Sequence, residues 1–262
     1  MIPFTLNWFG MAVHDVPATT EFYSKKLGFF FWQDDDKFGM WRMFETRRMK
    51  FELFKAHAER LKVNGWGNGQ AFRPAILVNN LASATARLQD QGVSLFHEAS
   101  EFGPQVEIMG PEGIRWSLVE NPGIEMDWSH PVIGGIELKA ANLNAQKDFY
   151  TRVFGMKIEN KTGRAIHLAQ SSGEAWLRIQ PGGTATSLTI GVGSPKPAFF
   201  FPIWISYETE DIKQTDAWLQ QQKVTIIRPL THHEDWNGTD VIITDVDGNA
   251  IQVVQYGKLN GE

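Results

Sequence analysis

Nine residues of this chain, Asp15-Val16-Pro17-Ala18-Thr19-Thr20-Glu21-Phe22-Tyr23, are echoed 127 positions later by Asn142-Leu143-Asn144-Ala145-Gln146-Lys147-Asp148-Phe149-Tyr150. The echo continues without a gap, Leu27-Gly28-Phe29 matching Phe154-Gly155-Met156. Further on the offset widens, but Asn80-Leu81 still finds its match in Asp211-Ile212, and Pro111-Glu112-Gly113 in Val246-Asp247-Gly248. A length of 262 residues suits one large domain or two ordinary ones. Four landmarks recurring in one order decide for two copies of a small α+β module fused head to tail. The copies are expected at 1–121 and 132–262, with the Asn121-Pro122-Gly123 turn opening a linker over 122–131.

Each copy can be read from its own residues. Residues 7–13 suit a strand, and Asp15 is placed to cap a helix whose first turn tolerates Pro17, because a missing N–H there costs nothing. Phe22, Tyr23 and Leu27 share one helical face, and Gly28 can supply the left-handed residue that ends the helix. Strands are expected at 29–32, 41–45 and 50–54, the last two joined by a hairpin over 46–49. The plan repeats with a strand at 74–78, a helix 81–91 capped by Asn80 and ended by Gly92, and strands at 93–96, 106–109 and 116–119. Two βαβββ units therefore make one copy. The second copy reads as strands 136–140, 157–159, 165–169 and 176–179 with a helix ending at Phe154. Its other half has strands 203–207, 224–227, 241–243 and 251–255 with a helix 212–222. The Gly-, Pro-, Ser- and Thr-rich stretch 180–202 reads as a lid or an inert insertion.

Composition removes several classes of function. A net charge of -5, with no basic run longer than Arg47-Arg48-Met49-Lys50, leaves no electrostatic footprint for nucleic acid or anionic lipid. No apolar run approaches the roughly 18 residues of a membrane span, and the start shows no signal-peptide pattern, so the chain reads as soluble and cytoplasmic. With no cysteine there is no disulfide, thiolate metal site or cysteine nucleophile. Ten tryptophans and 18 phenylalanines exceed what two small cores need, and the surplus can line pockets or a homodimer interface. No Gly-rich phosphate loop or nucleophile elbow is present.

The capped helix carrying Phe22-Tyr23, the following Leu27-Gly28-Phe29, and the closing turn Asp245-Val246-Asp247-Gly248-Asn249 before the last strand together resemble the vicinal oxygen chelate superfamily, which includes glyoxalase I, extradiol dioxygenases and bleomycin-binding proteins. The resemblance runs from about Leu6 to Tyr256. It implies that each copy folds its two βαβββ units into a curved, mixed, eight-stranded open sheet around a cavity for a small-molecule ligand.

In metal-using members of that superfamily, ligands stand on the first strand of each half, seven residues before the helix cap, and on the closing strand. Counting back gives Trp8, Arg73, Gly135 and Trp204, and the closing-strand position falls on Ser117 and Gln252. A further ligand position aligns with Glu52 and with Arg178. Zinc or iron takes at least three N/O donors, and this set does not supply them. The expectation is a binding protein without metal or other cofactor. The rival is a metal-dependent lyase, isomerase or ring-cleavage dioxygenase with non-standard ligands, for which His14, His57, His97, His130, His167 and the run His232-His233-Glu234-Asp235 are the available donors. That run reads as a solvated loop.

Alternation along 165–169 aims His167 into the second cup, as a ligand contact, a base near neutral pH, or a satisfied structural histidine. Alternation along 135–139 puts Gly135, Glu137 and Lys139 on one side. Glu137, Arg178 and Gln252 are expected as neighbours in copy two, with Glu137 as base and Arg178 stabilising an anion, or as a structural ion pair. In copy one, Trp8 and Trp116 with Glu52 and Arg73 are expected to form an aromatic wall with a polar end, suited to a planar or cationic ligand. Trp116 points opposite to Ser117 and joins that wall less readily.

Overall fold

The computed structural model describes residues 2–34, 41–45, 48–56, 71–98, 100, 102–125, 127–162, 164–170, 175–184, 203–234 and 236–257. His57, Asp235, residues 46–47 of the first hairpin and residues 185–202 of the Gly-rich stretch lie outside these.

Four βαβββ units follow one another. The first comprises β1 (Phe4–Val13), α1 (Val16–Lys25), β2 (Phe30–Asp34), β3 (Trp41–Glu45) and β4 (Lys50–Lys55). The second comprises β5 (Phe72–Val78), α2 (Leu81–Asp90), β6 (Ser94–Glu98), β7 (Gln105–Met109) and β8 (Arg115–Glu120). The third comprises β9 (Val132–Ala140), α3 (Leu143–Phe154), β10 (Lys157–Thr162), β11 (Ala165–Ala169) and β12 (Trp176–Pro181). The fourth comprises β13 (Ile203–Thr209), α4 (Ile212–Gln221), β14 (Thr225–His233), β15 (Gly238–Thr244) and β16 (Ala250–Tyr256).

The capping chemistry is the same in all four. Asp15, Asn80, Asn142 and Asp211 accept a hydrogen bond from the backbone N–H three residues on, at 2.9, 2.8, 3.0 and 2.9 Å. Gly28 adopts φ 77° after α1, and a Cβ there would lie 1.6 Å from the Trp128 carbonyl oxygen, so both backbone conformation and space demand glycine.

Two mixed sheets of eight strands form, in the orders β14-β15-β16-β13-β1-β4-β3-β2 and β10-β11-β12-β9-β5-β8-β7-β6. The expectation that each copy closes its own sheet is thereby corrected. The first sheet joins units one and four through the antiparallel β1–β13 pair, and the second joins units two and three through β5–β9. The two units of a copy meet instead through their helical sides. Trp116 Nε1 of β8 donates to Tyr23 Oη of α1 at 3.0 Å, inside a ring cluster with Phe9, Phe29 and Phe51. Trp116 is thus a core residue and belongs to no cup wall. In the second copy Trp218 Nε1 donates to the Val153 carbonyl at 3.0 Å.

One large apolar core takes residues from all four units, Phe9, Trp116, Tyr150 and Tyr207 among them. Two smaller clusters lie apart from it, one around Ala12, Trp204 and Ile242 in the first sheet and one around Ala75, Val119 and Trp176 in the second. Strand alternation puts these clusters on the faces turned away from the helices, so each sheet has a concave face, here called the first and second cup. Among the described residues, no helix is long and apolar enough to cross a membrane.

Candidate functional site

The cross-copy sheets re-sort the residues singled out from the sequence. Trp8, Glu52, Trp204 and Gln252 belong to the first cup, and Arg73, Ser117, Glu137, His167 and Arg178 to the second. Gln252 is therefore no neighbour of Glu137 and Arg178, and Arg73 is not at the end of the Trp8 wall. The strands carrying them had been assigned to the wrong partners.

In the first cup Trp204 lies across Gly10, where a Cβ would come within 2.0 Å of its ring. The strongest polar feature is Asp240 on β15, fully buried. It accepts from Arg228 and Gln252, and its other oxygen lies 3.0 Å from His233 Nε2. His232 and His233 are thus the last residues of β14 rather than a solvated loop, because β14 stays paired with β15 as far as Gly238. The Tyr256 hydroxyl is pushed far up by burial and by the charges of Glu52, Glu208 and Asp240. Among the described residues, Glu52, Glu208 and Asp240 bring three carboxylates to this cup beside Arg228 and His233.

The second cup is built around Glu137 on β9. Its neighbours are set by register: Glu137 pairs with Arg178 on β12 and with Arg73 on β5, and Arg178 pairs with His167 on β11. Glu137 is buried, and its Oε2 accepts from Ser117 Oγ at 2.6 Å and Gln105 Nε2 at 3.4 Å. Its Oε1 lies 3.9 Å from Arg178 Nη1. Burial pushes the Glu137 carboxyl up, opposed by the Ser117 hydrogen bond and the charges of Arg178 and Arg73. Beside it, Glu107 is ion-paired to Arg73 and, at 3.0 Å, to Arg115. Among the described residues, three arginines, Arg73, Arg115 and Arg178, thus surround the two buried carboxylates Glu107 and Glu137.

Arg178 stands out. Its guanidinium carbon lies 4.2 Å from the Trp176 ring centre and 4.9 Å from that of Phe102, which comes from the loop before β7. Its Nε and Nη1 are buried and have no hydrogen-bond partner among the described residues. Burial lowers its pKa, with Glu137 opposing. The His167 ring meets Trp176 and Phe102 edge to face at 5.6 and 6.2 Å.

Phe102, Gln105, Glu107 and Trp176 were not found by sequence reasoning. The hairpin register that sets Glu107 opposite Ser117 was a usable signal for one of them. Phe102 sits in a loop, where no periodicity points to it.

Among the described residues, neither cup gathers a donor set suited to a divalent cation. In the second, both carboxylates are bridged by guanidinium groups that would repel a metal. At Gly135 a Cβ would come within 2.1 Å of the Trp176 carbonyl oxygen, so no ligating side chain fits there. In the first, two of the four expected positions hold tryptophan. Among the described residues no group of three His, Cys, Asp or Glu could hold a metal ion.

The family model described as the Glyoxalase/Bleomycin resistance protein/Dioxygenase superfamily matches residues 5–118 and 133–253. Among solved structures, glyoxalase I from Zea mays superposes with TM-score 0.72 at 16% identity, covering 96% of this chain and 92% of that one. A provisionally assigned dioxygenase from Bacillus subtilis superposes with TM-score 0.66 at 13% identity, covering 97% and 86%. At these identities the likeness concerns the fold alone. No curated protein matches the chain.

Proposed function

This chain belongs to the glyoxalase/bleomycin resistance protein/dioxygenase superfamily, and within it we propose that the second cup binds a small organic anion on Arg178, without the metal ion that many members employ. The observation that carries the reading is the pair of buried N–H groups, Nε and Nη1 of Arg178, that have no hydrogen-bond partner among the described residues, Nη1 lying 3.9 Å from Glu137 Oε1. A buried donor left without an acceptor costs about 1–3 kcal/mol. Ligand oxygens placed against these groups would recover that energy through charge-assisted hydrogen bonds.

Glu137 and the two rings keep the guanidinium charged and in place. The rings also favour a flat ligand, since both lie against the guanidinium, at 4.2 and 4.9 Å from its carbon.

Titration with benzoate while tryptophan emission is followed tests this. Trp176 should report saturable quenching that EDTA does not change, and Arg178→Met should weaken it at least tenfold. Binding that EDTA abolishes and zinc restores, with stoichiometric Zn, Fe, Ni or Mn in the purified protein, would establish a metal-dependent enzyme instead. Unaltered binding by Arg178→Met would remove the anion site from the second cup.

A further inference from the structure

We propose that His167 is a general base acting on a 3-oxo carboxylate held by Arg178, taking a proton from the carbon between the two carbonyl groups. The inference rests on the binding reading above and adds a reaction to it. His167 and Arg178 are directly opposed across β11 and β12. Both face the cup, since the intervening Ile166, Leu168, Leu177 and Ile179 belong to the main core. The Trp176 and Phe102 rings that flank the guanidinium also flank the imidazole. A ligand whose oxygens reach Arg178 therefore has its carbon skeleton beside His167.

The imidazole is free to act. Its Nε2 is buried without a hydrogen-bond partner among the described residues and lies 3.8 Å from Glu159 Oε2. Among the described residues, the charged groups that face it are Arg178 from β12 and Glu159 from β10. Burial and the Arg178 charge lower its pKa while Glu159 opposes them, so at pH 7 the ring is the neutral base. Glu137 cannot take this role. It is 1% exposed, with one oxygen committed to Ser117, and its place beneath Arg178 makes it a positioning residue. The ketone of a 3-oxo acid acidifies the C2–H, and pairing of the carboxylate with the Arg178 guanidinium offsets the negative charge that would oppose proton loss, which suits such a substrate to an imidazole base.

The step balances within the site. The C2–H bond breaks and the proton moves to the imidazole. The electron pair forms a C2=C3 double bond, and the C3 oxygen takes the negative charge under the Arg178 guanidinium. Return of the proton to C2 completes the cycle, with no oxidant, reductant or further reactant.

Acetoacetate in deuterium oxide is the probe, with loss of its C2 proton signal followed by NMR and its binding by tryptophan quenching. The wild-type protein should accelerate exchange above the buffer rate, with the rate falling as acidification protonates His167, below the ordinary imidazole range. His167→Gln should lose the acceleration by about 100-fold or more while still binding acetoacetate. Arg178→Met should lose both. Glu137→Gln should weaken binding yet keep the histidine-dependent pH profile. Acetoacetate binding with exchange no faster than in His167→Gln would overturn this inference and leave the anion site standing. Benzoate binding without acetoacetate binding would overturn the substrate class, and binding of neither would overturn the anion site as well.

Discussion

The two cups place different side chains on corresponding strands. On the first strand of each, Gly10 in the first cup stands where Glu137 stands in the second, each paired in register with the strand that closes its unit, through Glu52 and Arg178 respectively. A tryptophan covers a glycine in both, Trp204 on Gly10 and Trp176 on Gly135, but the two tryptophans come from non-equivalent strands. The buried acid of the first cup, Asp240, is held by Arg228, His233 and Gln252. In the second cup Arg178 has two buried N–H groups without a hydrogen-bond partner among the described residues. One scaffold therefore tolerates different buried ions at its centre, and the difference between the cups lies in which ion is fully partnered rather than in backbone geometry.

The largest effect that would test this contrast is the loss of Arg178. Arg178→Met leaves Glu137 buried without its facing cation and should cost about 3 kcal/mol in urea unfolding, whereas Trp8→Phe in the first cup removes a buried, unpartnered N–H and should cost about 1 kcal/mol or less. Equal losses would mean that the second cup is no more electrostatically committed than the first. Next come the glycines. Gly135→Ala meets backbone and should destabilise by about 3 kcal/mol, while Gly10→Ala meets only the Trp204 ring, which can tilt, and should cost about 1–2 kcal/mol. The reverse order would show that the Trp204 wall is the stiffer one.

The smallest effect concerns pH. Because the His167 pKa is lowered in the folded chain, the unfolded chain binds more protons just below pH 6.5, and stability should fall as pH drops through that window. His167→Gln should flatten that part of the unfolding profile. An unchanged slope would place the titrating group elsewhere.

The units, their caps and their glycine turns were legible because each depends on neighbours in sequence. Asp15, Asn80, Asn142 and Asp211 each cap within three residues, and Gly28 and Gly155 end their helices in the left-handed conformation, at φ 77° and 65°. The Glu137–Arg178 pair was legible too, since alternation along single strands puts both residues on the concave side. Which unit pairs with which was not. β1 and β9 are equivalent strands of the two copies, so sequence alone leaves β5 and β13 free to pair with either of them. The choice rests on contacts such as Tyr23 with Trp116, about 90 residues apart, that turn the two units of a copy back to back. That choice moved Gln252 and Arg73 between cups and hid Phe102, whose position in a loop carries no pattern.

Pairing across the copies also bears on how such a chain can change. If two identical single modules assembled in this way, every substitution would appear in both binding faces at once, and a change that improved one would be imposed on the other. Joining the modules into one polypeptide breaks that coupling. Residue 137 can become an acid while residue 10 remains glycine, and each face can drift toward its own chemistry while sharing a single core. The covalent link between β8 and β9 is in this sense a release from symmetry, and the different buried ions of the two faces, Asp240 in one and the Glu137–Arg178 pair in the other, are what it permits.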